Sequence, residues 1–307
     1  MKLSELKNKQ TGKILAAQHV IVYGPPKSGK TWLIGCLAAA GYHLIWIDME
    51  NGKSTLFQLP DEALDNITYI GVADTKDEPI AHSTVDKLCR GGTFNLCDTH
   101  GRVDCPLCKK AGASFTTIEI PTEFTEESAK TIVVFDSGTQ LSNSVVSTVT
   151  KGKPADYQET IHDYRNAGNY LNRIFSYLQQ AKFNFIITAH EIEAEREDGG
   201  IRIVPSIGTR AYAINCAKFF DHVVYMDKVN LKHKASSSTA FSNSILTGSR
   251  LNIALESMQD GPNLAAIFEG KVAAPQEAAN SKASGVLAGL QSNATTKLNL
   301  NNIGGKK

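Results

Sequence analysis

Residues 24–31 constrain the fold of this chain more than any other segment, because their pattern and their flanks agree. They read G-x-x-x-x-G-K-T, the pattern of a loop whose backbone N–H groups surround a phosphate. The apolar run 20–23 precedes the loop, and the helical composition of residues 32–40 follows it, with Gly41 placed to end the helix. A strand, a glycine loop and a helix in this order favour anion binding at the helix N-terminus.

This loop predicts a site for ATP and Mg²⁺. Lys30 is expected to reach the β- and γ-phosphates, and the hydroxyl of Thr31 to hold Mg²⁺. The residues predicted to contact the nucleotide are Gly24, Pro25, Pro26, Lys27, Ser28, Gly29, Lys30, Thr31 and Trp32.

A second acidic element is needed to hold Mg²⁺, normally at the C-terminal end of a buried strand. Residues 131–137 read Thr-Ile-Val-Val-Phe-Asp-Ser, an apolar strand that ends in the carboxylate of Asp136. We therefore predict that Asp136 is the magnesium-side acid, with a helix N-cap as the alternative role.

Hydrolysis of ATP also requires a group that activates or positions water. Asp48 and Glu50 end the strand that follows the loop helix, at the edge of the sheet where ligands bind. Glu50 lies further out and has the longer reach, so it is the predicted base, with a structural cap as the alternative. His190, at the end of the apolar run 183–188, is a candidate sensor of the γ-phosphate or a locally satisfied histidine.

Short apolar runs alternate with helical patterns, which favours an α/β fold with a mainly parallel sheet. The hydrophobic content of 42% is ordinary for a globular protein. The net charge of +1 gives the protein no overall positive potential that would attract nucleic acid, so any such binding must use local basic patches. Helical spacing of three and four predicts one long helix over residues 161–178, whose core-facing stripe is Ile161, Tyr164, Gly168, Leu171, Phe175 and Leu178. The predicted strands are residues 19–23, 44–47, 67–72, 131–135, 183–188 and 221–225.

The domain organisation follows from composition. Residues 1–270 are predicted to form one ATPase domain, with a cysteine-rich insertion at 89–110 and a hairpin at 191–207. Residues 271–307 contain no aromatic residue and predict a flexible tail. No apolar run has membrane-spanning length, and no secretory signal opens the chain, so we expect a cytoplasmic protein without a membrane partner.

Four metal-ligating residues fall within twelve positions of the insertion. Cys97 and His100 form one close pair, and Cys105 and Cys108 form another. Cys₃His is a set that binds Zn²⁺ tetrahedrally, so we predict a structural zinc site. Cys89 is an alternative fourth ligand in place of His100.

The order of these motifs resembles the RecA-like recombinase core. The segment 46–50, Trp-Ile-Asp-Met-Glu, is similar to the catalytic-glutamate strand of that family. Residues 186–191, 205–208 and 219–225 are similar to phage-encoded RecA-like ATPases of the single-strand annealing and recombination type. The resemblance covers roughly residues 15–270, while the cysteine cluster and the lack of an acidic tip on the tail depart from the bacterial recombinase pattern.

The resemblance implies an ATPase that binds single-stranded DNA, assembles into a ring or filament, and works in the cytoplasm of a bacterial host. A single-strand-binding protein is a possible further partner. The loops implied to face DNA are residues 142–160 and 191–215, where Lys153 and Arg210 are the predicted contacts. A nucleotide site between subunits would take a cation from the neighbouring chain, with Arg250 or the group Lys228, Lys232 and Lys234 as candidates.

Other functions are compatible with the same core. A helicase, a helicase loader or a packaging motor would use it for directional movement on DNA. A small-molecule kinase would transfer the γ-phosphate to a soluble acceptor, and a nucleotide-gated binding module would turn over negligibly.

Overall fold

The computed structural model of the chain describes residues 16–75, 78–154, 156–196, 199–230, 232–238, 244–258 and 261–270. Its strands are β1 (His19–Tyr23), β2 (His43–Asp48), β3 (Ile67–Gly71), β4 (Gly92–Cys97), β5 (Phe115–Ile120), β6 (Thr131–Asp136), β7 (Asn184–Ala189), β8 (Glu191–Glu195), β9 (Ile201–Pro205), β10 (His222–Val229), β11 (Lys232–Ser236) and β12 (Gly248–Ser249). Its α-helices are α1 (Lys30–Ala39), α2 (Lys53–Leu56), α3 (Asp61–Leu64), α4 (Ala81–Leu88), α5 (Pro106–Ala111), α6 (Gly138–Val149), α7 (Ile161–Gln179), α8 (Arg210–Cys216) and α9 (Ala265–Phe268).

Eight strands form one central sheet in the order β11-β10-β1-β7-β6-β2-β3, with β12 paired to β10. The pairs from β10 across to β3 are all parallel, and only β11 and β12 run antiparallel. Every residue of β1 and β7 is buried, as their continuous apolar sequences predict for strands covered on both faces. The predicted α/β fold with a mainly parallel sheet is confirmed, and the six predicted strands are its six parallel strands.

Helices cover both faces of the sheet. On one face, α1 packs Leu33, Ile34 and Leu37 against the sheet. On the other face, α7 buries Leu171, Phe175 and neighbouring residues together with α4 and α6. These two apolar layers hold the C-terminal ends of the parallel strands at one fixed edge.

The long helix α7 differs from its predicted packing in its first turns. Thr160 and Asp163 form a reciprocal capping box that fixes its start. Ile161 is 90% exposed and Tyr164 is 41% exposed, although their spacing placed them on the core-facing stripe. Asp163 and Ala167 are the buried residues there instead, because the capping contacts turn the carboxylate of Asp163 inward.

The cysteine-rich insertion is part of a larger unit between β3 and β6. Strands β4 and β5 form an antiparallel hairpin from Gly92 to Ile120, with α5 between them. The prediction ended at residue 110 because β5 contains no cysteine. Leu96, Ile118 and Ile120 belong to the main apolar core, so the hairpin is packed onto the central α/β fold.

The predicted hairpin at 191–207 is also present, as β8 paired antiparallel with β9. The predicted tail, residues 271–307, lies outside the described residues. No helix within the described ranges is both long enough and apolar enough to cross a membrane.

Candidate functional site

The phosphate-binding loop joins β1 to α1 at the C-terminal edge of the sheet. Lys30 Nζ donates hydrogen bonds to the carbonyl oxygens of Gly24 and Pro25, each at 2.9 Å. Burial lowers the pKa of Lys30, while the carboxylates of Asp136 and Glu50 oppose that shift. The ammonium group therefore rests inside the loop, close to two acids that lie on neighbouring strands.

Asp136 and Thr31 approach each other across the site. The hydroxyl of Thr31 lies 3.5 Å from Asp136 Oδ2, and the hydroxyl of Thr188 donates to Asp136 Oδ1. Burial raises the pKa of Asp136 to about 6, although the hydrogen bond from Thr188 lowers it. The half-buried hydroxyl of Thr31 and the buried carboxylate of Asp136 are oxygen ligands of the kind that fits Mg²⁺. The alternative role as helix cap is wrong for Asp136, because Ser137 caps α6 by accepting from the N–H of Gln140.

Glu50 and Asp48 have different surroundings. Asp48 accepts from the N–H groups of Glu50 and Gly52 at 2.8 and 2.7 Å and from the hydroxyl of Tyr69 at 2.7 Å. These three donors hold Asp48 as a structural anchor for the turn that carries Glu50. Glu50 Oε1 accepts from the hydroxyl of Ser137 and lies 3.4 Å from His190 Nε2.

His190 joins the site to the segment that follows the β8–β9 hairpin. Its backbone N–H donates to Thr139 Oγ1 at 3.0 Å, and the hydroxyl of Thr139 donates to the carbonyl oxygen of Ser206 at 2.9 Å. The N–H of Ser206 in turn donates to the carbonyl oxygen of His190 at 2.8 Å. The backbone of His190, whose side chain faces Glu50, is thus fixed to the start of α6 and to the chain leading toward α8.

The phosphate loop and the acids that follow the neighbouring strands line one cleft of about 500 Å³, a size typical of small-ligand sites. Lys30, Thr31, Trp32, Glu50, Asp136 and His190 all face it, as the sequence predicted. The sequence interpretation missed Thr55, Gln58 and His233, because these residues belong to no motif and only the sheet order brings His233 to the loop. It named Lys228 only as a cation for a neighbouring subunit, whereas Lys228 lines the cleft of its own chain.

The predicted zinc ligands form a second site. One ligand atom from each of Cys97, His100, Cys105 and Cys108 lies within 4.8 Å of the others. His100 Nδ1 is 3.8, 3.9 and 3.3 Å from the three sulfur atoms in that order of the chain. These separations suit a tetrahedral Cys₃His set around Zn²⁺.

The same geometry distinguishes His100 from Cys89, the alternative fourth ligand. Cys89 lies in the main apolar core, where its Sγ contacts the carbonyl oxygen of Asp86 and burial raises the pKa of its thiol to about 12. It stands outside the four-residue cluster, so Cys89 in place of His100 is wrong. The carbonyl oxygen of His100 accepts from the N–H of Ala73 at 3.1 Å, which ties the metal site to the end of β3.

Comparison with known proteins identifies the family. The AAA domain family matches residues 16–251 of this chain. The chain belongs to the AAA domain family. No curated protein matches it.

Among solved structures, the chain is similar to a prototypical ATPase from the type III secretion system of pathogenic bacteria. The two share 11% identity with a TM-score of 0.43, over 83% of this chain and 63% of that one. The chain thus spans less than two thirds of that ATPase. Family membership and the site geometry together indicate an AAA domain with a phosphate-loop cleft on a mainly parallel α/β core.

The residues predicted to bind DNA lie outside the nucleotide cleft of the AAA domain. Lys153 follows α6, and its Nζ is 5.1 Å from the centre of the Tyr157 ring. Arg210 is the exposed first residue of α8, which Thr209 caps. Residues 142–149, predicted as part of a DNA-facing loop, belong to α6 instead.

The cations predicted to act in a neighbouring subunit differ in position. Arg250 Nη1 lies 2.9 Å from Asp221 Oδ1, and Asp221 precedes β10 at the edge of the sheet opposite the phosphate loop. Lys228 lines the cleft of its own AAA domain. Lys232 and Lys234 are exposed on β11.

Proposed function

We propose that this ATPase hydrolyses ATP with Mg²⁺ and couples hydrolysis to single-stranded DNA in a ring or filament that supports annealing or recombination. The position of Glu50 carries the proposal. Its carboxylate faces the phosphate-loop cleft, accepts from Ser137 and lies beside His190. A carboxylate held in this way can accept a proton from water that attacks a γ-phosphate.

The reaction consumes one water molecule and produces ADP and inorganic phosphate. Glu50 takes the proton of the attacking water, and Lys30 turns from the carbonyl oxygens of Gly24 and Pro25 toward the phosphates. Thr31 and Asp136 would hold magnesium, which would offset part of the phosphate charge when bound. Protonation of Glu50 changes its attraction for His190, whose Nε2 is 3.4 Å away.

The contacts of His190 support coupling to a distant surface. Thr139 contacts both His190 and Ser206, and the N–H of Gly208 donates to Ser142 Oγ at 2.8 Å. Gly208 lies two residues before Arg210, so a shift at His190 reaches the start of α8 through hydrogen bonds. Exposed cations such as Arg210 and Lys153 contact phosphates of single-stranded nucleic acid in a sequence-tolerant way.

We assign the Cys₃His cluster to a structural zinc ion. Its ligands come from the end of β4, the following turn and α5. A tetrahedral site without a free position holds such a short segment in place and performs no catalysis.

The decisive experiment measures ATP hydrolysis with and without single-stranded DNA at low and high salt. We expect stimulation by DNA at low salt that weakens as salt rises, because phosphate contacts release counterions. The double variant Lys153→Ala/Arg210→Ala should lose the stimulation. Lys182→Ala, which removes an exposed cation just before β7 at the opposite edge of the sheet, should retain it.

A rate of ATP hydrolysis that does not depend on DNA at low salt would contradict the proposed coupling to DNA. The proposal that the chain hydrolyses ATP would still stand. Transfer of the γ-phosphate to a soluble acceptor would indicate a kinase, and strand unwinding would indicate a helicase.

Thr139→Val should lower the ratio of the DNA-stimulated to the unstimulated rate of ATP hydrolysis, since valine cannot hydrogen-bond to His190 and Ser206. Thr139→Ser keeps the hydroxyl and should preserve that ratio.

A further inference from the structure

The β10–β11 pair crosses close to both glycines of the phosphate-loop pattern. A Cβ atom at Gly24 would stand 2.0 Å from the carbonyl oxygen of Met226, on β10. A Cβ atom at Gly29, whose φ is +96°, would stand 2.6 Å from Nδ1 of His233, on β11. The two strands therefore confine the loop from the side, and glycine is required at both positions for a reason beyond nucleotide contact.

His233 makes a directed contact with the loop. Its Nδ1 lies 2.6 Å from the carbonyl oxygen of Ser28. A carbonyl oxygen only accepts hydrogen bonds, so Nδ1 carries the hydrogen and donates it. His233 thereby fixes the orientation of one peptide of the loop.

The register of the pair places Lys228 on the same face as His233. These two residues are direct cross-strand partners, and such partners project from the same side of a sheet. Lys234 pairs with Asp227 and Lys232 pairs with Val229, so both of these lysines project from the opposite side. Accordingly, Lys228 and His233 line the nucleotide cleft.

We propose that this β10–β11 face is a second wall of the nucleotide site, contributed by the same subunit that contributes the phosphate loop. His233 is a positioning residue that holds the loop through Ser28. Lys228 binds the polyphosphate of the nucleotide as a cation supplied in cis. The proposal rests on ATP occupying this cleft, as in the function proposed above.

The charge of the ligand favours this arrangement. Glu50 and Asp136 share the cleft with Lys27 and Lys30, so the two loop cations only balance the two carboxylates before an ATP polyanion enters. The ammonium group of Lys228 offsets part of the negative charge that the polyphosphate adds. Because Lys228 is already on the lining of its own cleft, it needs no second subunit to reach the nucleotide.

Affinity for a non-hydrolysable ATP analogue with Mg²⁺, measured by titration calorimetry, tests the role of Lys228. We expect Lys228→Met to weaken binding about tenfold, as loss of a charged hydrogen bond does. Lys232→Met removes the same charge from the opposite side of the pair and should bind as the parent does. Equal affinity of all three proteins would overturn the proposal.

Lys30→Ala in the same titration separates this proposal from the proposed function. If Lys30→Ala weakens binding and Lys228→Met does not, only the second wall fails. If neither changes the affinity, the nucleotide is not in this cleft and both proposals fail.

Two substitutions test His233. His233→Ala should raise KM for ATP with a smaller change in kcat, because the loop loses one anchor while Glu50 keeps its position. Asn presents an N–H group close to the position of Nδ1, so His233→Asn should restore most of the parent KM. A KM equal to the parent value in His233→Ala would overturn the positioning role.

A mixing experiment distinguishes action in cis from action in trans. Lys30→Ala subunits carry an intact Lys228 but an impaired loop, and Lys228→Met subunits carry the reverse. If Lys228 acts in cis, the mixture should hydrolyse ATP no faster than the two variants measured separately. Recovery of activity on mixing would show that Lys228 serves a neighbouring site and would overturn the proposal.

Discussion

At the scale of single residues, two neighbouring acids acquire different roles from their partners. Asp48 is closed off by three donors, whereas Glu50 meets a hydroxyl and an imidazole at the cleft. The sequence alone placed both acids at a ligand-binding edge. Only the partners distinguish them, because Asp48 anchors a turn while Glu50 faces His190 in the cleft.

Glu50→Gln should therefore reduce ATP hydrolysis by roughly two to four orders of magnitude, because the amide cannot accept the proton from water. Binding of ATP should remain close to that of the parent. Single-turnover hydrolysis and a separate binding titration measure the two effects. Glu62→Gln, on the exposed helix α3, is the matched control, and an unchanged rate in Glu50→Gln would exclude Glu50 as the base.

His222 predicts a pH dependence of folding stability. It is fully buried between Ser249 Oγ at 2.9 Å and Gln18 Oε1 at 2.8 Å, and burial lowers its pKa from 6.5 to about 4. Below pH 6.5 the unfolded chain binds a proton that the native chain does not. Stability should thus be lost as pH falls toward 4, by at most about 1.4 kcal/mol per pH unit from this residue.

Chemical denaturation at several pH values measures this slope, from about 4.5, which lies between the two pKa values of His222, to about 7.5, which lies one unit above the unfolded value. His222→Gln removes the titrating group and should give a shallower dependence on pH, whatever its effect on stability at neutral pH. An equal slope in both proteins would rule out His222 as the source.

At the scale of secondary-structure elements, the β4–β5 hairpin combines a Cys₃His cluster with a packed apolar face. Its apolar residues join the main core, and its cysteines form a separate small cluster with His100. The bond from Ala73 to the carbonyl oxygen of His100 connects the cluster to β3. Zinc binding should therefore order the hairpin against the sheet as well as within itself.

We expect one zinc ion per chain by elemental analysis of the purified protein. Cys105→Ser/Cys108→Ser should abolish zinc binding and lower the melting temperature, because a structural zinc site contributes directly to folding. Cys89→Ala should keep its zinc, since Cys89 lies in the core. Zinc retained in the double variant, or lost in Cys89→Ala, would contradict the ligand set.

At the scale of the whole molecule, the parallel sheet gathers the active groups at one edge. The phosphate loop follows β1, Glu50 follows β2, Asp136 ends β6 and His190 follows β7. The carboxyl ends of parallel strands share one edge, so residues more than a hundred positions apart meet there. Phe57, 68% exposed just after α2, lies beside the cleft residues Thr55 and Gln58.

We expect single-stranded DNA with Mg²⁺ and ATP to convert the chain into a ring or filament, with Phe57 covered by the neighbouring subunit. Phe57→Asp should prevent this assembly, because a carboxylate does not tolerate burial at an apolar contact. Mass photometry and electron microscopy measure the outcome. Leu107→Asp, a matched change at an exposed residue of α5, should assemble, and assembly of Phe57→Asp would exclude that contact.

The amino-acid sequence by itself determined the α/β class, the six parallel strands and the phosphate-loop pattern. It also predicted the position of Asp136 and the four Cys and His residues that the fold brings together. Continuous apolar runs and ligand spacing are local properties, so they can be recognised in short segments. The tertiary structure alone decided that Cys89 is a core residue, that Ile161 faces solvent and that Lys228 and His233 lie over the phosphate loop. These depend on strand order and on contacts across the fold, which no local pattern encodes.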